Sequence, residues 1–367
     1  MRIASEQDIA ADLASGGSVR LVGGGSKLGW GPQVDAEREL STAGLDRIVE
    51  HNAGDLTAVL EAGVPLAAAQ EAFASEGQML ALDPPDRGAT IGGVVASADS
   101  GPLRSRFGGP RDLVLGVRVA LPDGSVVKSG GKVIKNVAGY DLGKLMAGAF
   151  GTLGVIVEVA VRLHPRPEET ATAAAGSTDA TTLAEAALKL SRAPLEHIGF
   201  DLRWGGGDGA LLLRFGGETA WPQAEAALRL MDEAGLAGSL AEDDDSVWSI
   251  QRDGQRSETG TVVRVSGVPS KMADLLALSS RLGARVVGRA TLGLSWLVLE
   301  GRAPEEAAHA VEQIRRELFP SPCVVLDAPA EVSVDRWGPL DPGLVALMAR
   351  LRQRFDPAGV CNPGLMP

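Results

Sequence analysis

Residues 18–31 read Ser18-Val19-Arg20-Leu21-Val22-Gly23-Gly24-Gly25-Ser26-Lys27-Leu28-Gly29-Trp30-Gly31. Ser18 to Val22 has the β-prone content of a short strand, and the glycines that follow leave a loop with little room for side chains. Glycine lets backbone bend into left-handed conformations and come close to a neighbour. Successive N–H groups in such bends form a concavity that suits an anion, so Gly23 to Lys27 can present its amides to a diphosphate. A glycine-rich surface turn is the alternative that these residues alone leave open. Two common phosphate motifs do not fit. A G-x-G-x-x-G pattern read from Gly23 needs glycine at 28 and meets Leu28, and a P-loop ending at Gly143-Lys144 needs glycine at 138 and meets Ala138.

A second glycine-dense stretch runs Gly130-Gly131-Lys132-Val133-Ile134-Lys135-Asn136-Val137-Ala138-Gly139-Tyr140-Asp141, then Gly148-Ala149-Phe150-Gly151-Thr152-Leu153-Gly154-Val155-Ile156, and encloses the only tyrosine of the chain. It is too glycine-rich for a packed helix and too irregular for a flexible linker. Backbone that approaches something flat or anionic explains both, and a bound cofactor is the natural candidate.

The chain has 367 residues, enough for two domains of ordinary size and a buried cofactor. Hydrophobic residues make up 45 % and charged residues 22 %, a globular composition without the uninterrupted apolar run of a membrane span. A net charge of -12 with 4 % aromatic residues argues against nucleic acid, which is held by phosphate neutralisation. An anionic ligand must then be gripped locally, by loop amides or a few placed arginines. The start, Met1-Arg2-Ile3-Ala4-Ser5-Glu6-Gln7-Asp8, has acids where a secretory leader needs an apolar run, so a cytoplasmic protein is expected. Cys323 and Cys361 are the only cysteines, which excludes an iron–sulfur centre built from this chain alone.

Strands are expected at Leu56 to Ala62, at Leu113 to Leu121 and Val126 to Ser129 around a Pro122-Asp123-Gly124-Ser125 turn, and from Gly154 to Leu163. Pro65 opens a helix through Ala74 that Gly77 can close. His164-Pro165-Arg166-Pro167 marks a boundary. Beyond it a strand–helix–strand–strand–helix–strand order occurs twice. The first pass is Ala171 to Gly176, helix Thr182 to Ser191, Ile198 to Arg203, Ala210 to Phe215, helix Trp221 to Glu233 and a strand near Leu240. The second is Thr261 to Ser266, helix Lys271 to Arg281, Arg285 to Arg289, Ser295 to Glu300, helix Glu305 to Phe319 and Cys323 to Leu326. Each is a ferredoxin-like βαββαβ unit, giving an antiparallel sheet with helices on one face, and two such units can join edge to edge. A last helix, Pro342 to Arg354, precedes a tail too short for its own core, which is expected to dock on the first domain.

The Gly-Gly-Gly-Ser-Lys loop after a strand, Asp83-Pro84-Pro85, Thr90-Ile91-Gly92-Gly93-Val94-Val95-Ala96-Ser97, Gly108-x-x-Arg111-Asp112, Lys135-Asn136-Val137-Ala138-Gly139-Tyr140-Asp141, Gly151-Thr152-Leu153-Gly154-Val155-Ile156 and the tail Asp356-Pro357-x-Gly359-x-x-Asn362-Pro363-Gly364 stand in this order. Together they resemble the vanillyl-alcohol oxidase (PCMH-type) FAD-binding family, most densely over 20 to 163. Within it the likeness is to the FAD-binding E-type subunits of glycolate oxidase. The resemblance implies an α+β protein: a two-part PCMH-type FAD-binding domain over 1–167, an α+β cap over 168–330 containing the two ferredoxin-like units, and a tail, 331–367, that returns to the FAD domain. It implies that Val22, Gly23, Gly24, Gly25, Ser26, Lys27 and Leu28 cradle the FAD diphosphate, and that Thr90, Gly92, Gly93, Ser97, Ser100 and Gly101 line the flavin and ribityl chain. Gly154, Val155 and Ile156 would meet adenine, and Asn136 and Tyr140 would run beside the ring. Pro84, Ile91 and Asn362 belong to the same cofactor-binding set. No histidine stands between 20 and 31 or 90 and 111, where some relatives attach the flavin, so the FAD is expected to be noncovalent.

Catalytic members that oxidise D-2-hydroxy acids carry a His-x-Gly-Asp-Gly-Asn-x-His segment and a later Glu-His-Gly that bind metal and substrate. The nearest counterparts here, Arg289-Ala290-Thr291-Leu292-Gly293-Leu294-Ser295-Trp296 and Glu331-Val332-Ser333-Val334-Asp335-Arg336-Trp337-Gly338, lack those histidines, and no metal is expected. His51 and His164 are expected as surface or strand-end residues, and His197 and His309 in ordinary solvated roles. Trp248-Ser249-Ile250-Gln251-Arg252 and Arg264 resemble the family's Trp-x-x-x-Arg helix and basic strand, which implies Arg252 and Arg264 as catalytic-site cations that hold a carboxylate through bidentate hydrogen bonds. A surface arginine balancing Asp243-Asp244-Asp245 is the plain alternative. Arg203, Arg214, Arg264 and Arg289 fall on cap strands, where alternation puts some of them opposite the helices.

Three readings follow. In the first, this is the FAD-binding subunit of a glycolate or 2-hydroxy-acid dehydrogenase complex, accessory or relaying electrons, with a catalytic FAD subunit and an iron–sulfur subunit as partners. It would be cytoplasmic, or peripheral to the inner membrane face through those partners. The second is an autonomous FAD-dependent oxidase or dehydrogenase of a small carboxylate-bearing alcohol. The third is a non-redox interaction scaffold on a flavin fold.

Overall fold

The computed structural model describes residues 5–132 and 141–366. They fall into two units, the first from Met1–Ser100, Phe107–Arg166 and Leu340–Pro367, the second from Gly101–Arg106 and Pro167–Pro339.

In the first unit Val155–Arg162 is the middle of a five-stranded antiparallel sheet ordered Ile48–Asn52, Thr57–Glu61, Val155–Arg162, Val114–Ala120, Val126–Gly130. Its valines and Ile156 are buried, because both faces of the strand are covered. The expected hairpin closes through Leu121 N–H to Ser125 O at 2.9 Å, with Gly124 at φ 82° in the turn. Asp123 adds a side-chain bond from Ser125 N–H at 2.9 Å.

Several elements of this unit are absent from the expected set, among them one helix and two strands that frame the glycine loop's strand and the sheet. Helix Glu6–Ala14 starts in a capping box, Ser5 Oγ accepting Asp8 N–H while the Asp8 carboxylate accepts Ser5 N–H. It buries Ile9, Ala10 and Leu13 against Val19, Leu40, Leu45 and Val157. Arg38–Ser41 pairs in parallel with Val19–Val22, and Ile48–Asn52 pairs with Thr57–Glu61. At the other end of the chain, Val19 N–H donates to Val360 O at 2.8 Å and Asn362 N–H to Val19 O at 2.9 Å. The helix before it, Pro342–Phe355, is capped by Asp341 and has no buried residue.

The second unit holds an eight-stranded antiparallel sheet ordered Ala237–Leu240, Thr170–Ser177, Asp208–Gly216, Gly199–Gly205, Arg285–Arg289, Leu294–Leu299, Thr261–Ser266, Cys323–Val325. Each half is a βαββαβ unit, and Gly199–Gly205 pairs with Arg285–Arg289 to join them, Asp201 opposite Arg289. The fold class expected from the sequence is the one observed. Alternation explains the core: Phe200, Leu202 and Trp204 point with Leu211, Leu213 and Phe215 to one face, where Leu183, Ala187 and Leu190 of helix Ala180–Leu190 and Ala224, Ala227 and Met231 of helix Ala220–Asp232 cover them. Burying each side chain of Leu or Phe size stabilises by roughly 1.5–3 kcal/mol. The opposite face carries Thr172, Arg214, Asp201, Arg289 and Trp296, and helix Asp244–Asp253 lies on it, with Trp248 1 % exposed and donating to Thr172 Oγ1 at 2.7 Å.

Candidate functional site

In the first unit the candidate cofactor residues lie on three segments, of which the first is the glycine loop. The loop leaves strand Val19–Val22 and packs on residues 88–90. A Cβ on Gly23 would lie 2.4 Å from Thr90 Oγ1, and one on Gly24 only 1.8 Å from Gly88 O, so neither position admits a side chain. Gly25 has φ 75°, a left-handed backbone that glycine adopts without strain. Among the described residues the N–H groups of Gly23, Gly24 and Gly25 have no backbone acceptor. Lys27, side chain 9 % exposed, forms an ion pair with Asp99 at 3.1 Å, and its ammonium lies 5.8 Å from the Trp30 ring centre. Leu28 is 41 % exposed.

Helix Ile91–Ser97 is capped by Thr90, whose Oγ1 accepts Gly93 N–H at 3.3 Å. Gly92 is glycine for a packing reason, since its Cβ would meet Ala62 Cβ at 2.7 Å while its N–H donates to Ala62 O. Gly93 has contact only with Thr90 Oγ1, at 3.2 Å, and is open otherwise. Ser97 Oγ donates to Gly93 O at 2.7 Å, and Ser100 N–H donates to Asp99 Oδ1 at 2.9 Å. Pro84 and Ile91 are buried. Gly101 falls in the second unit.

The third segment is the strand start at Gly154. Its Cβ would lie 2.9 Å from Ala120 O. Val155 and Ile156 pair with Ala120 and Val119, whereas the ladder to Thr57–Glu61 begins at Glu158, so on their other side these two residues have no strand neighbour among the described residues. Asn362 binds the assembly together, Oδ1 accepting Leu21 N–H at 2.7 Å and Nδ2 donating to Phe150 O at 2.7 Å. Asn136 and Tyr140 lie outside the described residues.

A family model of the FAD binding domain matches residues 3–130. Glycolate oxidase subunit GlcE of Escherichia coli (strain K12) is 31% identical over 333 residues, 87% of this chain and 84% of that protein. The chain belongs to the PCMH-type FAD-binding family. Glycolate oxidase subunit GlcD of Bacillus subtilis (strain 168) is 40% identical over 126 residues, 34% of this chain and 27% of that protein. An alkyldihydroxyacetonephosphate synthase structure superposes with a TM-score of 0.72 at 14% identity, over 98% of this chain and 75% of that one, a likeness of fold. The PCMH-type chain is thus an FAD-linked oxidoreductase, and its side-chain-free loop with unspent amides fits a diphosphate.

Three cap arginines of this family member, Arg289, Arg214 and Arg256, have specific acidic partners. Arg289 is fully buried, ion-paired with Asp201, hydrogen-bonded to Gln255 Oε1, and stacked 4.8 Å from the Trp296 ring centre. Burial pushes the Asp201 carboxyl up to about 6, against the pull of Arg289 and Gln251. Arg214 pairs with Asp244 and Asp245, so it, and not Arg252, balances the acidic run. Arg256 grips Asp327 with bonds of 2.6 and 2.9 Å. Arg203 is exposed. Arg264, on Thr261–Ser266 beside Trp296 and Val324, is half-buried. Arg252 is half-buried near the end of its helix, and its side chain makes no hydrogen bond or ion pair among the described residues.

His309 is exposed on helix Pro304–Glu317 and His164 opens the short strand His164–Pro165, as expected, whereas His51 and His197 are more enclosed than their expected roles. His51 Nε2 lies 3.0 Å from Gln78 Oε1 and its ring packs edge-on to Phe73. His197 Nδ1 and His164 Nε2 are buried without hydrogen-bond partners, and burial lowers both pKa values. Both cysteines are buried, which pushes Cys323 up to about 11 and Cys361 up to about 12 and leaves the thiols protonated at neutral pH. Among the described residues no group of three His, Cys, Asp or Glu side chains is placed to hold a metal, and no helix is long and apolar enough to cross a membrane.

The sequence reading missed Asp99 and the Asp201–Arg289–Gln255 cluster. A lone acid in the small-residue run Ser97-Ala98-Asp99-Ser100 was the available signal for the first. The second had none, because Asp201 and Arg289 meet through strand pairing and Gln255 reaches them from the turn after helix Asp244–Asp253.

Proposed function

We propose that this chain is the FAD-binding subunit of a complex that oxidises glycolate or a related 2-hydroxy acid, acting with a catalytic FAD subunit and an iron–sulfur subunit in the cytoplasm. Noncovalently bound FAD would supply two-electron oxidation of a CH–OH donor. Residues Val22 to Leu28 hold its diphosphate through backbone N–H groups, Thr90, Gly93, Ser97, Ser100 and Gly101 follow the ribityl chain and ring, and the open edge at Val155 and Ile156 receives adenine. Gly92, Ile91 and Pro84 shape this wall by packing, and Asn362 positions the strand that feeds the loop. Asn136 and Tyr140 stay assigned beside the ring on the resemblance alone.

The accessory role rests on one observation: Arg289 and Arg214, on the sheet face covered by helix Asp244–Asp253, are already neutralised by Asp201, Asp244 and Asp245. Two cations that alternation would offer to a substrate carboxylate are therefore spent internally. Likeness to GlcE over most of both chains supports the same reading. A second reading, an autonomous dehydrogenase, is favoured by Arg252, whose unpaired guanidinium suits a carboxylate fork, with Arg264 as its companion. Anaerobic addition of glycolate to the purified chain separates the two. The flavin keeps its colour in the chain alone and bleaches once the partner subunits are added; bleaching in the chain alone overturns the accessory role.

A further inference from the structure

Lys27, within the glycine loop, and Asp99, just after helix Ile91–Ser97, form a charged pair in the first unit. Their side chains are 9 % and 3 % exposed and the ammonium stands 3.1 Å from Asp99 Oδ2. Both ends are fixed. Asp99 follows Ala98, which ends helix Ile91–Ser97 at φ 51°, and its N–H returns to Val94 O at 3.2 Å while Oδ1 accepts Ser100 N–H. The carbonyls of that helix end are themselves satisfied, Val95 O by Gly148 N–H and Ala96 O by Phe150 N–H. On the other side, Lys27 lies against Trp30, 2 % exposed, and Ser26 Oγ is 3.3 Å from its ammonium.

A buried ion pair is a poor source of stability, since desolvating both charges offsets most of their attraction and an apolar pair of like volume does as well. Its location is the informative part. It joins the loop at 23–27 to the segment at 90–100, beside the unspent amides of Gly23 to Gly25. A lone ammonium there would add a full positive charge to the diphosphate site, and a lone carboxylate would repel the diphosphate.

We propose that Asp99 is a positioning residue that holds the Lys27 ammonium and cancels its charge, so that FAD affinity in this loop is set by backbone amides and not by net charge. This rests on the reading that residues 22–28 hold the FAD diphosphate. The consequence is a pair of opposite effects. Asp99→Asn keeps an acceptor for Ser100 N–H and for Lys27 but leaves one uncompensated positive charge at the loop. Lys27→Met leaves the Asp99 carboxylate facing the diphosphate.

The test is FAD binding to the flavin-free full chain, followed by flavin fluorescence, with folding of each variant checked by circular dichroism. Asp99→Asn tightens binding and Lys27→Met weakens it, each by about tenfold, as expected for unit charges several Å apart at an intermediate effective dielectric. The two side chains are buried, so salt screens them little and both shifts persist at high salt, and the double variant returns to within about threefold of the parent. A purely structural pair would weaken binding in both single variants. That result, or no change in either, overturns the proposal so long as Gly24→Ala still weakens FAD binding. Should Gly24→Ala leave binding untouched, the loop assignment itself fails.

Discussion

Gly24→Ala is the sharpest probe of the cofactor loop, because the added methyl has a known obstacle. Gly24 does not need a left-handed backbone, so the substitution tests space alone. The new Cβ would stand 1.8 Å from Gly88 O, and reaching even a tight 3.0 Å contact requires ~1.2 Å of movement between two backbone segments. Forced repacking of this kind destabilises by ~1–3 kcal/mol. The same displacement takes the Gly24 N–H away from where a diphosphate oxygen sits. One lost hydrogen bond to a charged group costs ~1.5–3 kcal/mol, so FAD affinity falls at least about tenfold. Gly29→Ala is the matched control, since nothing lies within 4 Å of its Cβ position and binding stays unchanged. Titration of flavin-free protein with FAD, followed by fluorescence quenching and backed by urea melts, reads both quantities. A folded Gly24→Ala protein with parental FAD affinity refutes the claim that these amides carry the diphosphate.

Asn362→Ala strips the 2.7 Å bonds to Leu21 N–H and Phe150 O and places alanine at φ 44°. It should lower stability by ~2–4 kcal/mol in urea melts, because it strands two backbone groups, and an unshifted midpoint would contradict the positioning role. Asp201 gives a pH signature. Its carboxyl titrates near about 6 in the fold against an ordinary 3.8, so between those values the folded chain binds more protons than the unfolded one, and this group makes stability fall as pH rises from about 4 to about 6. The loss, on the order of 3 kcal/mol, is complete above that window and disappears in Asp201→Asn. His164 and His197 act in the opposite sense: burial lowers their pKa values, so stability is lost as pH falls below the ordinary imidazole value of 6.5. Urea midpoints across this range for the parent, Asp201→Asn and His197→Gln resolve the two slopes, and an unchanged pH profile in both variants would rule out these titrations as the cause.

The twofold strand–helix pattern of the second unit was legible because its cues are local. Phe200, Leu202 and Trp204 alternate, Leu183, Ala187 and Leu190 recur at helical spacing, and each expected helix was found within one or two residues of its expected limits. Arg38–Ser41 and Ile48–Asn52 were not, since sequences such as Arg-Glu-Leu-Ser become strands only through partners elsewhere in the chain. Helix Glu6–Ala14 carried a capping box in plain view, but its acids were read only as evidence against a leader. For the cap arginines, periodicity gave the face and not the partner: Arg289 meets Asp201 across a strand pair, and Arg214 meets Asp244 from a helix laid on the sheet. Gly92 shows the limit for glycines, because a residue excluded by Ala62 and one that faces a ligand look alike in sequence.

Joining the two ferredoxin-like halves through Gly199–Gly205 and Arg285–Arg289 has a consequence for solubility. Each half alone would expose a long, adhesive border of unsatisfied peptide groups. Mating those borders hides both, and the outermost strands are Ala237–Leu240 and Cys323–Val325, of four and three residues, the second already covered where Val325 N–H donates to Arg336 O at 2.8 Å. Such stubs offer a stray chain too little length to zip onto, so the platform resists intermolecular strand addition without needing protective charges along its margins.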